Sequence, residues 1–197
     1  MCASEEKSGR KPRADSLRNR ERLLKAAKSV FSAGGAGASL EAVAREAGVG
    51  IGTLYRHFPT REALFAAVYR HETEQLVELA AEIGETEPPV EAMRHWLAAT
   101  LDVIATKKGM LSALAPAPDG QAELYAYTGA AMRGALGGLM DRAVAAGEIR
   151  ADITADDMMR ALYGMVSGYY LRDQPGWKDD VLRLANIFID GLRRLSA

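Results

Sequence analysis

The residues able to do chemistry are few, and most crowd into one short stretch. The chain has three histidines and a single cysteine, Cys2. No serine, cysteine or lysine stands in a spacing that pairs a nucleophile with a general base, and no glycine-rich loop of the phosphate-cradling kind is present. His71 and Glu74 share a helix face and could be drawn as a metal site with His95, but His95 belongs to another helix and the expected ligand spacing is missing. No metal or cofactor is expected, and an enzyme on a helical body is the unsupported rival reading. What remains is Gly52-Thr53-Leu54-Tyr55-Arg56-His57. These types suit a nucleic-acid surface. An arginine can fork onto guanine O6 and N7, a threonine suits thymine or a phosphate, and a glycine lets a helix approach base edges closely. Tyr55 and His57 can donate to phosphate oxygens, which fix register without reading sequence.

Such side chains are useful only on a rigid element held against a duplex. The segment Leu40 to Phe58 supplies one. A helix-turn-helix needs two helices crossing steeply through a three- or four-residue turn. Ala44 is the small residue the close crossing requires, and Gly48 can take the positive φ of the turn. Val43, Ala47, Val49, Leu54 and Phe58 fall where the apolar anchors must be. At 100° per residue Leu54 and Phe58 share a face toward the core. Gly52, Thr53 and Arg56 lie opposite, toward a major groove, with Tyr55 and His57 on the flanks. Ser39 caps the first of the two helices, and Arg61 opens the helix after Pro59. With the backbone amides of their helix N-termini, both can hold phosphates.

The remaining pattern is helical throughout. Helices are expected from Asp15 or Ser16 to about Ala33, Leu40 to Ala47, Ile51 to about Phe58, Thr60 to about Ile83 and Val90 to Lys107. Residues 109–120 read as a short helix or turn followed by a loop. Further helices are expected from about Gln121 to Ala146, from the near capping box Thr154/Asp157 to about Leu171, and from Trp177 to Leu195. No segment alternates with period two, so the fold class is all-α with about nine helices. The domains read as a disordered basic arm over 1–14, a helix-turn-helix domain over 15–62 and a helical body over 63–197. Charge divides accordingly. Residues 1–70 hold 13 basic and 7 acidic residues, a net of +6, while the remainder nets −7. A basic head on an acidic body is the balance expected when the head alone sits on a polyanion. The polar N-terminus and the lack of a long apolar run argue against a signal peptide or a membrane span, so the cytoplasm is expected.

The run Ala47 to Phe65, AGVGIGTLYRHFPTREALF, with Ala26-Ala27 and Val30-Phe31 in the first helix, resembles the signature of the TetR family of transcriptional regulators. The resemblance implies an Ω-shaped homodimer, a divergent ligand-binding body and repression of a DNA operator relieved by a small-molecule effector. It also implies that Tyr55, His57 and Arg61 contact phosphates. One departure stands out. The family often opens this helix with a polar pair such as Ser-Lys, where this chain has Gly50-Ile51, which removes a side-chain cap and one DNA contact.

In the body, His95, Trp96, Thr100, Tyr125, Thr128, Met132 and Tyr163 mix polar tips and soft side chains into apolar stripes, as Met165 also does. Together they suggest a mainly apolar effector pocket with a few polar handles, although each alone suits core filling. Gly164, Ser167 and Gly168, beside Leu184 and Phe188, allow the close helix approach of an intersubunit four-helix bundle.

Overall fold

The computed structural model describes residues 10–34, 38–111, 118–170 and 175–194. Helix α1 runs Arg10–Gly34, and the stripe Leu23, Leu24, Ala27 and Phe31 is buried as the helical spacing requires. It starts five residues before the expected Asp15. Pro12 falls in its first turn, where a backbone N–H has no helical partner to lose. Residues 10–14 of the expected disordered arm are therefore helical, and residues 1–9 lie outside the described residues.

Helix α2 (Leu40–Ala47) begins at Ser39, whose hydroxyl accepts from the Ala42 amide at 3.1 Å, and buries Val43, Ala44 and Ala47. It ends on Gly48 at φ 63°. The Gly48 amide donates to Arg45 O and the Val49 amide to Ala44 O at 3.0 Å. This paired closure demands a left-handed residue just past the helix, which glycine adopts at least cost. Helix α3 (Ile51–His57) follows with Gly50 as its N-cap and no side-chain cap, as the Gly50-Ile51 departure predicts. Pro59 and the Thr60 hydroxyl, which accepts from Ala63 N at 3.0 Å, set the start of α4 (Arg61–Thr86).

The body continues with α5 (Pro89–Leu111), α6 (Pro118–Ala145), α7 (Ala155–Tyr170) and α8 (Trp177–Leu192). Among the described residues there are thus eight helices rather than about nine, and no strand. The short element expected over 109–120 is absorbed by α5 and α6 at its two ends, and 112–117 lie outside the described residues. Thr154 and Asp157 form the full reciprocal capping box at α7. The Thr154 amide and hydroxyl donate to the carboxylate at 3.0 and 2.6 Å, and the Asp157 amide donates back at 3.2 Å. Those bonds hold the Asp157 carboxyl below its ordinary pKa. Among the described residues no helix is long and apolar enough to cross a membrane.

The chain divides into two compact units, residues 1–69 with 106–117 and residues 70–105 with 118–197. In the first, Lys107 at the end of α5 lies 5.1 Å over the Tyr69 ring, and burial pushes its ammonium pKa down. In the second, Trp96 donates to Leu76 O at 2.9 Å inside the core. Arg94 ties α5 to α8 through Asn186 and Asp190.

Candidate nucleic-acid interface

The recognition surface follows from how α1 and α2 hold α3. Leu54 is 0% and Phe58 2% exposed, so the expected inward face of α3 is the buried one. Gly52 and Arg56 are exposed, Thr53 and His57 are half-buried, and Tyr55 is 45% exposed. All five predicted contact residues of α3 are thus reachable from solvent. The Arg56 guanidinium lies back along its own helix, with Nε donating to Gly52 O and Nη2 to Thr53 Oγ1, each at 3.2 Å. Arg56 and Thr53 therefore form one polar unit, and a base edge would have to exchange with these bonds. No atom comes within 4 Å of a Cβ built on Gly52. The glycine thus leaves space for a partner and is not required by packing inside the chain.

Ser39 accepts from the Ala42 amide as a cap, and its side chain is also hydrogen-bonded to the Glu41 carboxylate. Arg61 sits differently from a free surface arginine. Its guanidinium lies 5.1 Å over the Phe31 ring, with Nε and Nη2 buried and without hydrogen-bond partners. It pins the start of α4 to α1, and only part of its fork faces outward. Two further arginines that the sequence reading passed over also serve the head. Arg20 lies 4.9 Å over Phe58. Arg22 Nη2 donates to Gly48 O at 3.4 Å, at the carbonyl end of α2 where a cation is favoured. Both fall on α1, 38 and 26 residues from their partners, and no local spacing signals such pairings.

The residues expected to line an effector pocket are distributed less simply. Trp96, Thr100, Thr128 and Met132 are buried in the body's core, and the two threonine hydroxyls donate to Trp96 O and Leu124 O of their own helices at 2.9 and 2.8 Å. Tyr125 is half-buried, and burial raises its phenol pKa. His95 instead stands at the surface with Nδ1 2.9 Å from Glu87 Oε1, and Tyr163 is exposed on α7. His95 and Tyr163 thus lie at the surface, apart from the buried members. An open cleft of about 630 Å³ runs between α4 and α6 and is lined by other residues. Ala80, Ala81, Gly84, Gly134, Ala135 and Gly138 are among them, with Glu85 and Arg142 as its charged members.

On the last two helices, Gly164, Ser167, Gly168 and Leu184 are exposed, and Phe188 is half-buried. Ile187, the residue before Phe188 on α8, is 62% exposed. Among the described residues no atom lies within 4 Å of a Cβ built on Gly164 or Gly168, so close packing against those residues does not account for these glycines.

A buried α3 core stripe, a left-handed glycine turn and an outward polar face together define a helix-turn-helix regulator. Comparison with known proteins is specific. Residues 23–68 match the bacterial regulatory proteins of the TetR family, and residues 88–194 match the C-terminal domain of SbtR-like transcriptional regulators. A TetR transcriptional regulator of Streptomyces coelicolor shares 42% identity over 90% of this chain and 99% of its own, with a TM-score of 0.77. A TetR transcription regulatory protein of Mycobacterium vanbaalenii shares 31% over 92% and 99%, with a TM-score of 0.70. A TetR-family regulator of a Rhodococcus species has the same fold at 21% identity over 90% and 100%, with a TM-score of 0.67. No curated protein matches the chain in sequence. The chain belongs to the TetR family. It is a DNA-binding transcriptional regulator and not an enzyme.

Proposed function

We propose that the protein is a cytoplasmic, homodimeric repressor that binds a palindromic double-stranded operator and is released by a hydrophobic or amphipathic small molecule. The observation that carries this reading is the outward polar face of α3, in which Arg56 and Thr53 can read bases while Tyr55 and His57 hold phosphates, with Ser39 before α2 and Arg61 opening α4 as further phosphate contacts. A palindrome needs two heads, and the unpartnered stripes of Gly164, Ser167 and Gly168 on α7 and of Leu184, Ile187 and Phe188 on α8 are suited to bury each other across a two-fold axis.

For the effector, the cleft between α4 and α6 has the size of ordinary ligand sites and an apolar, small-residue lining. Arg142 and Glu85 give it polar handles for an amphipathic guest. The buried Trp96, Thr100, Thr128 and Met132, with Tyr125, His95 and Tyr163, remain the competing location. Helix α4 contributes residues to both units, and its 26 residues span about 39 Å at ~1.5 Å per residue. A guest that prefers one tilt of α4 releases DNA by as much as it prefers that state.

The test is to select duplexes from a random pool with the purified protein, then screen apolar and amphipathic metabolites for release of the selected duplex. Recovery of a two-fold symmetric sequence, and its release by a molecule that binds the body, supports the reading. A protein that selects no sequence, or that no ligand detaches, refutes the repressor reading in the first case and the effector in the second.

A further inference from the structure

A second wall stands beside helix α3. Asp15, Ser16 and Asn19 of α1 and Thr53, Arg56 and His57 of α3 line one groove of about 360 Å³. The α1 residues follow i, i+1, i+4 and the α3 residues i, i+3, i+4, so each set forms a single helix face. Every one of the six is polar. Neither the Ser16 nor the Asn19 side chain bonds to another described residue, whereas Asp15 is ion-paired with Arg18 one turn on. Among the described residues the groove thus offers two neutral hydrogen-bonding groups without a side-chain partner beside Arg56, and a carboxylate at its edge.

We infer that this groove seats the sugar–phosphate backbone of one DNA strand. Ser16 and Asn19 donate to a phosphate, and Asp15 acts as a specificity-determining residue that penalises the registers in which a phosphate comes beside it. The inference rests on the proposed facing of α3 and extends it to α1. A carboxylate on a surface that meets a polyanion opposes binding wherever a phosphate comes beside it. It also holds Arg18, which could otherwise neutralise a phosphate. Random duplex is bound by phosphate electrostatics alone and samples many registers, some of which place a phosphate against Asp15. On the operator, base contacts hold one register, and that register seats the phosphate toward Ser16 and Asn19. Discrimination built from repulsion in the wrong complex is a general route to specificity.

The experiment measures duplex affinity for the wild type and for Asp15→Asn, Asp15→Glu, Ser16→Ala and Asn19→Ala. Each is titrated with the selected operator and with scrambled duplex from 50 to 200 mM salt, and circular dichroism checks folding. Asp15→Asn should bind scrambled duplex several-fold more tightly at 50 mM while operator affinity changes little, so the specific-to-nonspecific ratio falls. Freeing one cation steepens the salt slope by about 0.9, so the gain on scrambled duplex should shrink about 3.5-fold by 200 mM. Asp15→Glu keeps the charge and should keep the ratio. Ser16→Ala and Asn19→Ala should weaken the operator more than scrambled duplex, with the slope unchanged because neither side chain is charged. An equal gain on both duplexes from Asp15→Asn, or no gain on either, would overturn the inference. A wild type with no sequence preference would refute the operator reading instead. The scrambled-duplex arm then decides alone, and an unchanged affinity there overturns this inference too.

Discussion

Replacing Gly48 with alanine strikes the turn between α2 and α3 in two separable ways. The backbone there sits at φ 63°, a conformation that costs an L-residue about 1–2 kcal/mol. The new Cβ would also lie 2.6 Å from Arg22 Nη2. That atom ends a flexible side chain, so it can swing aside and forfeit only its long 3.4 Å bond to Gly48 O, worth at most about 0.5 kcal/mol at such a length. The total comes to about 2 kcal/mol, a factor of about 30 in the local folding equilibrium. Hydrogen exchange reads it directly. The Val49 amide, bonded to Ala44 O, and the Leu54 amide, bonded to Gly50 O, should lose protection by that order, and duplex affinity should fall with them. In an Arg22→Ala background the same substitution should cost only the conformational part. Gly48→Asn should be milder, since asparagine tolerates the left-handed region better than alanine. A Gly48→Ala penalty below about 0.5 kcal/mol would refute the reasoning, because neither the positive φ nor the Arg22 contact could then hold in solution.

Other perturbations test the remaining surfaces. Arg56→Ala should lower the ratio of operator to scrambled affinity, since a base-reading fork is worth about 1–3 kcal/mol of discrimination; Tyr55→Phe should weaken both duplexes together, as competitive binding would show. Ile187→Glu, with Gly164→Glu as the independent second variant, should give monomers in sedimentation, and a dimer that persists in both would remove the α7/α8 interface. Gly138→Trp should fill the cleft between α4 and α6 and abolish effector release without changing operator affinity, whereas Thr100→Trp and Met132→Trp do so only if the buried site is the true one. The Asp157 carboxyl is held below its ordinary pKa by its bonds to Thr154, so its stabilisation is complete above the unfolded pKa of about 4 and is lost as pH falls through the depressed folded value. Asp157→Asn should therefore flatten the acid limb of stability against pH.

How much of this was legible in the sequence depends on the range of the interactions involved. The α2–turn–α3 segment was readable because its determinants are local. Ser39, Ala44, Gly48, Leu54 and Phe58 act within one or two turns of where they stand, so residue type and offset suffice. Asp15 is a good cap in isolation and draws the expected start of α1 to itself, whereas a proline in the first turn is no obstacle to a helix that begins earlier, at Arg10. In the body, periodicity separates buried from exposed positions but does not separate a ligand wall from ordinary core. Thr100 and Thr128 look like polar handles in the sequence, yet each bonds to its own helix, and His95, next to the buried Trp96, points instead to Glu87. The cleft between α4 and α6 is built largely from alanine and glycine, which carry no chemical signature to be read. Its shape arises only when Gly84 meets Leu139 and Arg142 across the two helices.

The head's net positive charge and its cationic contacts with DNA are different quantities, and the structure separates them. Arg20 lies on Phe58, Arg61 on Phe31 and Arg22 on the Gly48 carbonyl, while Arg18 is paired with Asp15. These four cations still contribute to the field that draws a duplex in, because a cation over an aromatic ring or a carbonyl keeps its charge. They are not all free to neutralise a phosphate at contact. Counterion release counts only phosphates actually neutralised, at about 0.9 per contact on a logarithmic salt scale. The salt slope per head should consequently fall below what its basic residues would give if each met a phosphate. Arginines laid across Phe31, Phe58 and the carbonyl end of α2 tie α1 to α2, α3 and the start of α4. The helix so held is the one that carries Thr53, Tyr55, Arg56 and His57, the residues proposed to meet DNA.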